Sequence, residues 1–302
     1  MTRILLTGTS GQVGGALLPL LRTRGTVLAP TRTEFDLSKP DALRRRLDEL
    51  KPNVIINPAA YTAVDKAEDE TELALLINAE APAAIARWAA ANGVPMVHFS
   101  TDYVFNGSGN RAWREEDPAS PLSVYGRSKL AGEEAVRSAG GPHLVIRTAW
   151  VYAASGANFM RTMIRLARER ETLRVVADQL GTPTSAHSIA TALSSIFNQG
   201  ASDLPAAFAR GGGLVHLTNS GSTSWHGFAS AIVEGLRRRG VALKATEVVP
   251  IGTADYPTKA VRPANSRLDL TRLQTVYGVL PLPWEEALAV ELDAHVVAAD
   301  RV

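Results

Sequence analysis

The sequence predicts an α/β fold: a doubly wound parallel sheet followed by a smaller C-terminal α/β region. Three observations predict it. Short apolar runs of strand length alternate with helical patterns from Arg3 to Arg147, and that alternation builds parallel sheets. A glycine-rich turn stands between the first run and the first helix. After Trp150 the pattern breaks into shorter strands and Pro-punctuated loops. The 302 residues suffice for one large or two modest domains.

In chain order, Arg3–Thr7 reads as a buried strand bounded by Gly8. Gly8-Thr9-Ser10-Gly11-Gln12-Val13-Gly14 follows and leads into the apolar helical pattern Ala16–Arg22, where Pro19 marks a kink site. Strand, G-x-x-G-x-x-G and helix in succession is the setting of a dinucleotide fingerprint. The glycines permit a tight turn, close approach of backbone to a pyrophosphate, and close helix–strand packing. The helix N-terminus turns unpaired N–H groups toward the anion. The strand Thr26–Ala29 ends in Pro30-Thr31-Arg32, where a carboxylate would hold the ribose 2′-OH of NAD. Arg32 reads equally as a partner for a 2′-phosphate, favouring NADP, or as a solvent-facing side chain. Asp36 lies beside the adenine or caps the helix Pro40–Leu50, whose Arg44-Arg45-Arg46 run reads as a solvated face.

Asn53–Asn57 is the next buried strand, and the small residues Pro58-Ala59-Ala60 at its carboxyl end leave room for a ligand. Leu75–Asn92 reads as one Ala-rich helix, and the strand Pro95–Phe99 delivers Ser100-Thr101-Asp102 to the same sheet edge. A polar loop, Asn106–Pro121, precedes the helix Val124–Ala135 and the strand Leu144–Arg147. Further on come the helix Asn158–Glu171, the strand Leu173–Val176, the loop Asp178–Thr184 and the helix Ser188–Asn198. Ala201–Gly213 reads as an exposed connection, Leu214–Thr218 as the last sheet strand, Ser224–Arg239 as a helix and Trp284–Val297 as the final one. The expected division is residues 1–149 plus about 184–220 as the nucleotide domain, and about 150–183 plus 221–302 as the substrate domain.

Tyr125 and Lys129 stand four apart, so on a helix they share a face. An ammonium beside a phenol favours the phenolate, which predicts a Tyr pKa drawn down from about 10. Such a Tyr exchanges a proton with a carbonyl or alcohol oxygen, and Thr101 could give that oxygen a second hydrogen bond.

With 32 basic and 30 acidic residues, the net charge of +2 gives no case for nucleic-acid or membrane partners. The absence of cysteine excludes disulfides, Cys-zinc sites and thiol catalysis, and fits a reducing compartment. No apolar run of membrane-spanning length or signal-peptide pattern occurs, so a cytoplasmic protein is expected. The six histidines show no metal-ligand spacing; His98 and His216 read as core or rim residues, and no catalytic metal is indicated.

Thr7–Gly14 together with Thr101, Tyr125 and Lys129 resembles the extended short-chain dehydrogenase/reductase superfamily. Further stretches narrow the resemblance to the dTDP-4-dehydrorhamnose reductase family. They are Thr62–Glu68, Ser100–Phe105, Val124–Glu133, Arg147–Tyr152, Asp178–Thr184 and Arg262–Leu268. Tyr103 stands where related sugar-nucleotide dehydratases carry an acidic residue.

The resemblance covers nearly the whole chain and implies a Rossmann-type nucleotide domain and reduction of the C4 ketone of a dTDP-keto sugar by NADPH or NADH. It implies Tyr125 as the proton donor, Thr101 as its hydrogen-bonding partner and Lys129 on the nicotinamide ribose. It places Gly8, Gly11, Gln12, Val13, Gly14, Asp36, Leu37, Ala59, Ala60 and Thr62 on the cofactor, and Asp102 near the sugar. Trp150 reads as a sugar platform or core packing; Arg262 reads as a ligand of the substrate pyrophosphate or half of an ion pair. Some relatives dimerise through magnesium on acidic side chains. Gly15-Ala16 and His187 stand where those acids align, so magnesium is not indicated and a monomer or weak homodimer is expected. Two other readings stay open: a non-catalytic NADP-binding subunit like the methionine adenosyltransferase beta subunit, and a sugar-nucleotide epimerase.

Overall fold

The computed structural model describes residues 2–200 and 203–299. Its centre is a six-stranded sheet, all parallel. Five strands are β1 (Arg3–Leu6), β2 (Thr26–Leu28), β3 (Val54–Asn57), β4 (Met96–Thr101) and β5 (His143–Thr148); the sixth is Leu214–His216. The order across the sheet is Leu214–His216, β5, β4, β3, β1, β2. β2 lies on one side of β1 and β3 on the other, so the winding reverses between β1 and β3. Ligands bind outside the carboxyl ends of strands at such a reversal.

β3 and β4 are buried at every residue, as strands covered on both faces must be. One face is covered by the helices Gln12–Arg22 and Ala186–Gln199, through Leu17, Leu21, Ile189, Leu193 and Ile196. Pro40–Leu50 and Ala81–Ala91 cover the other, through Leu43, Leu47, Ile85 and Trp88. A separate core joins the helices Phe159–Glu169, Trp225–Arg238 and Trp284–Ala299 around Tyr152, Phe228 and Ile232. The parallel pair Thr172–Val176 and Glu247–Ile251 flanks it. Leu273, Tyr277 and Val279 pack into the first core instead, so the last third of the chain reaches both.

Three expectations are corrected. The first helix begins at Gln12 and continues through Pro19 to Arg22. The expected single helix over Leu75–Asn92 is three pieces: Thr71–Leu75, a π turn Leu76–Glu80, and Ala81–Ala91. Pro82 has no N–H to give the Asn78 carbonyl, and a wider turn absorbs the missing bond. Finally, the expected exposed connection contains a helix, Leu204–Arg210, started by the Asp203 side chain, which accepts from the Ala206 N–H, with Phe208 fully buried. Ala201 and Ser202 of that stretch lie outside the described residues.

Candidate active site

A cleft of ≈ 1020 Å³ opens along the carboxyl edge of the sheet. Its floor at one end is the turn between β1 and the first helix. Gly8 sits at φ +61, in the left-handed region that glycine adopts freely. A Cβ on Gly14 would collide with the Gly8 carbonyl oxygen, so the helix can approach the strand this closely only because position 14 has no side chain. Gly11 caps the helix with no side-chain bond, which leaves first-turn N–H groups for an anion in the cleft. Opposite, Ala59 packs on Gly8, and its N–H donates to the Thr7 hydroxyl at 3.3 Å. This cradle fits a dinucleotide pyrophosphate.

Gly8, Gly11, Gln12, Val13, Gly14, Arg32, Asp36, Leu37, Ala59, Ala60 and Thr62 all line this cleft. Arg32 makes no hydrogen bond or ion pair among the described residues. Asp36 is engaged locally: its carboxylate accepts from the Ser38 hydroxyl (2.7 Å) and N–H (3.0 Å), which hold it below the usual carboxylate range.

Tyr125 and Lys129 line the wall of the same cleft. They come from the helix Val124–Ser138, whose N-cap Ser123 accepts from the Gly126 N–H at 3.1 Å. The helix is anchored from beneath. Asn78, in the π turn, donates to the Ser128 hydroxyl (3.0 Å) and the Tyr61 carbonyl (3.0 Å) and accepts from the Tyr61 N–H (2.8 Å). A Cβ at Gly132 would collide with the Asn78 carbonyl.

The expected lowering of the Tyr125 pKa is corrected here. Burial of the hydroxyl pushes it up to about 12, opposed by a hydrogen bond to Thr101 and reinforced by the Asp102 charge. The Lys129 ammonium does not reach the phenol. Its Nζ lies 3.5 Å from His98 Nε2, and burial brings its pKa down to about 8, with Glu133 opposing. The Thr101 hydroxyl donates to Asp102 Oδ1 at 2.9 Å and accepts from the Tyr103 N–H at 3.2 Å. Asp102 is itself buried, and burial raises its pKa to about 6. Tyr103 meets Tyr125 edge-on at 5.5 Å between ring centroids.

Two remaining candidates are placed differently. Trp150 has φ +47 and stacks on Trp225 with ring centroids 3.6 Å apart; a Cβ on Gly181 would run into its indole. Trp150 is thus packed on one side and partly buried, and Thr148 and Val151 close to it in the chain line the cleft. Arg262 forms an ion pair with Asp65 at 2.8 Å and is partly buried. Sequence reasoning missed the loop Ala153–Ala157, His187 and Glu291, which also line the cleft. Glu291 Oε2 accepts from the Ala154 N–H at 2.6 Å. The available signal was a carboxylate on the apolar stripe of Ala287, Leu288 and Leu292.

The family description "RmlD substrate binding domain" matches residues 1–296. A dTDP-4-dehydrorhamnose reductase of Burkholderia thailandensis is 45% identical over 95% of this chain and 96% of its own length. The crystal structure of a dTDP-4-dehydrorhamnose reductase from Clostridium acetobutylicum is 35% identical, covers 97% of this chain and 99% of that one, and superposes with a TM-score of 0.87. The one from Bacillus anthracis, solved in complex with NADP, is 33% identical, covers 97% and 100%, and gives a TM-score of 0.85. With the glycine cradle and the Tyr–Lys wall on one cleft, and these matches end to end, the chain belongs to the dTDP-4-dehydrorhamnose reductase family.

Proposed function

We propose that this chain reduces the C4 ketone of dTDP-4-dehydro-6-deoxy-L-mannose to give dTDP-L-rhamnose, with NADPH or NADH as reductant. The observation that carries this reading is that Tyr125 and Lys129 stand on the wall of the cleft that the Gly8–Gly14 turn floors. A bound NAD(P)H supplies the hydride. The first-turn N–H groups after Gly11 hold the cofactor pyrophosphate, with Leu37, Ala60 and Thr62 along its path. Arg32 faces the 2′-phosphate of NADPH.

A reduction needs a proton donor at the oxygen where negative charge develops. With its pKa up near 12, Tyr125 keeps its proton through the neutral range. An alkoxide is far more basic than a phenolate, so transfer from Tyr125 to the C4 oxygen runs downhill. Thr101 and Asp102 hold the same oxygen and hydroxyl network, and Lys129 turns its ammonium to the nicotinamide ribose. Arg262 acts on the sugar-nucleotide side through its pair with Asp65. We take the region around Tyr152 and Phe228 as the substrate domain, and the working unit as a cytoplasmic monomer or weak homodimer.

The test is to mix the protein with NADPH and the dTDP-keto sugar, follow NADPH absorbance and identify the product. Stoichiometric NADPH consumption with formation of dTDP-L-rhamnose is expected. A sugar inverted at carbon with NADPH unconsumed would make the chain an epimerase. NADPH binding with no turnover would make it a regulatory subunit.

A further inference from the structure

We infer that His98 is a positioning residue for Lys129: from the middle of the sheet it holds the lysine ammonium at the cleft wall. The inference rests on the reductase reading for the role of Lys129 and on geometry for the rest. Lys129 is 2% exposed, and among the described residues His98 is its one hydrogen-bond partner. His98 lies on β4 with no exposed surface. Its Nδ1 is 3.3 Å from the Asn57 side-chain amide on β3. Asn57 in turn bonds the Thr7 hydroxyl at the end of β1 at 2.6 Å, the hydroxyl that takes the Ala59 N–H. A polar line thus crosses three strands, from the lysine to the floor of the nucleotide cradle. A Cβ on Gly132 would collide with the Asn78 carbonyl, and the same point lies in ordinary contact with His98 Nε2 at 3.4 Å, so the helix lies against the ring.

The protonation pattern follows from the partners. Burial first, then the Lys129 charge, hold His98 far below its ordinary pKa, so the ring is neutral. A charged lysine needs an acceptor, so Nε2 is bare and the ring proton sits on Nδ1. Asn57 takes that proton through its backbone carbonyl or a turned side-chain amide. An ammonium has three N–H donors; one on His98 leaves two for the vicinal hydroxyls of a ribose in the cleft. The other charged group near Lys129 is Glu133 on its own helix, which is neutralised by Arg147 of β5 at 2.7 Å, while the Tyr125 phenol shares the cleft wall. His98 is therefore the group that fixes where the charge points.

The experiment compares His98→Leu, His98→Asn and His98→Gln. Leu offers no acceptor, Asn is too short to reach Nζ, and Gln reaches nearly as far as Nε2. Three quantities are read against pH: kcat with the keto sugar, NADPH binding by fluorescence, and melting temperature. His98→Leu is expected to lower kcat roughly ten- to a hundredfold through misplacement of the ammonium, with the sugar KM within about threefold. Losing a bond to the charged form favours the neutral amine, so the alkaline limits of both kcat and NADPH binding should fall by about one pH unit. His98→Asn should match His98→Leu, and it carries the test if the leucine variant fails to fold. His98→Gln should recover most of the rate and the pH profile. Unshifted pH profiles in both Leu and Asn variants, or a Gln variant as impaired as they are, would overturn the inference. The NADPH-binding profile does not involve the sugar. If it shifts while the wild type never turns over the keto sugar, the reductase reading fails and the inference stands.

Discussion

At the nucleotide end of the cleft the walls are backbone: Gly8 in the left-handed region, Gly14 pressed on the Gly8 carbonyl, and an uncapped helix N-terminus. At the end beside Tyr125 they are side chains. Thr101 and Asp102 are buried there beside the partly buried Tyr125, which Tyr103 borders. A strap over residues 259–262 crosses to the nucleotide half by ion pairs, Lys259 to Asp69 and Arg262 to Asp65. The backbone end is set once the chain folds and needs no charge of its own. The side-chain end keeps charged groups that burial works against, and is held by pairs whose members are partly exposed. The contrast suits a cofactor gripped the same way every cycle and a substrate that must enter and leave.

Five substitutions, with Gly15→Ala as a control, break or sharpen that contrast. Tyr125→Phe should cost roughly a hundred- to ten-thousandfold in kcat while dinucleotide binding persists; turnover near wild type would remove the proposed acid. Asp102→Asn tests the cost of the buried carboxylate. Its folded pKa, about 6, lies above the unfolded value of about 3.9, so the folded state holds the proton more tightly. Stability is then full below about pH 4 and declines through about pH 6. The variant should be more stable than wild type by up to about 3 kcal/mol at pH 8, with the gain gone at pH 4, as read by denaturant unfolding. A constant difference across pH would show that Asp102 is not held in this state.

Gly14→Ala should destabilise by about 1–3 kcal/mol and weaken NADPH binding, because the strand and helix must separate. Gly15→Ala, whose Cβ would lie 3.4 Å from the Thr9 carbonyl, serves as the comparison and should cost far less stability. Arg32→Ala should lower the ratio of NADPH to NADH efficiency about tenfold, the loss of one charge-assisted bond; an unchanged ratio would leave Arg32 a bystander. Smallest in stability is Arg262→Ala, at most about 1 kcal/mol for a partly exposed pair. Its effect should fall instead on the sugar KM, measured by steady-state kinetics.

What the sequence made legible was local. The Gly8–Gly14 turn is read from three glycines between a strand and a helix, and Tyr125 with Lys129 from a spacing of four. Both features are fixed by neighbouring residues, so a one-dimensional reading finds them. The direction of the Tyr125 shift is not local: it depends on how deeply the phenol is desolvated and on where Lys129 turns. His98 lies 31 positions before that lysine and meets it only because β4 runs beneath the helix. The π turn follows from Pro82, a recognisable punctuation, but the close packing of Gly132 on the Asn78 carbonyl of that turn is tertiary and has no local signal. Arg262 was legible as a phosphate-type side chain, but Asp65, its actual partner, is distant in the chain.

The ion-paired strap makes dissolved electrolyte a control on the protein. At physiological ionic strength the Debye length is about 8 Å, so mobile ions reach and weaken Lys259–Asp69 and Arg262–Asp65, whereas the close-packed glycine turn is indifferent to them. Added salt would thus loosen the strap while the glycine turn stays unaltered.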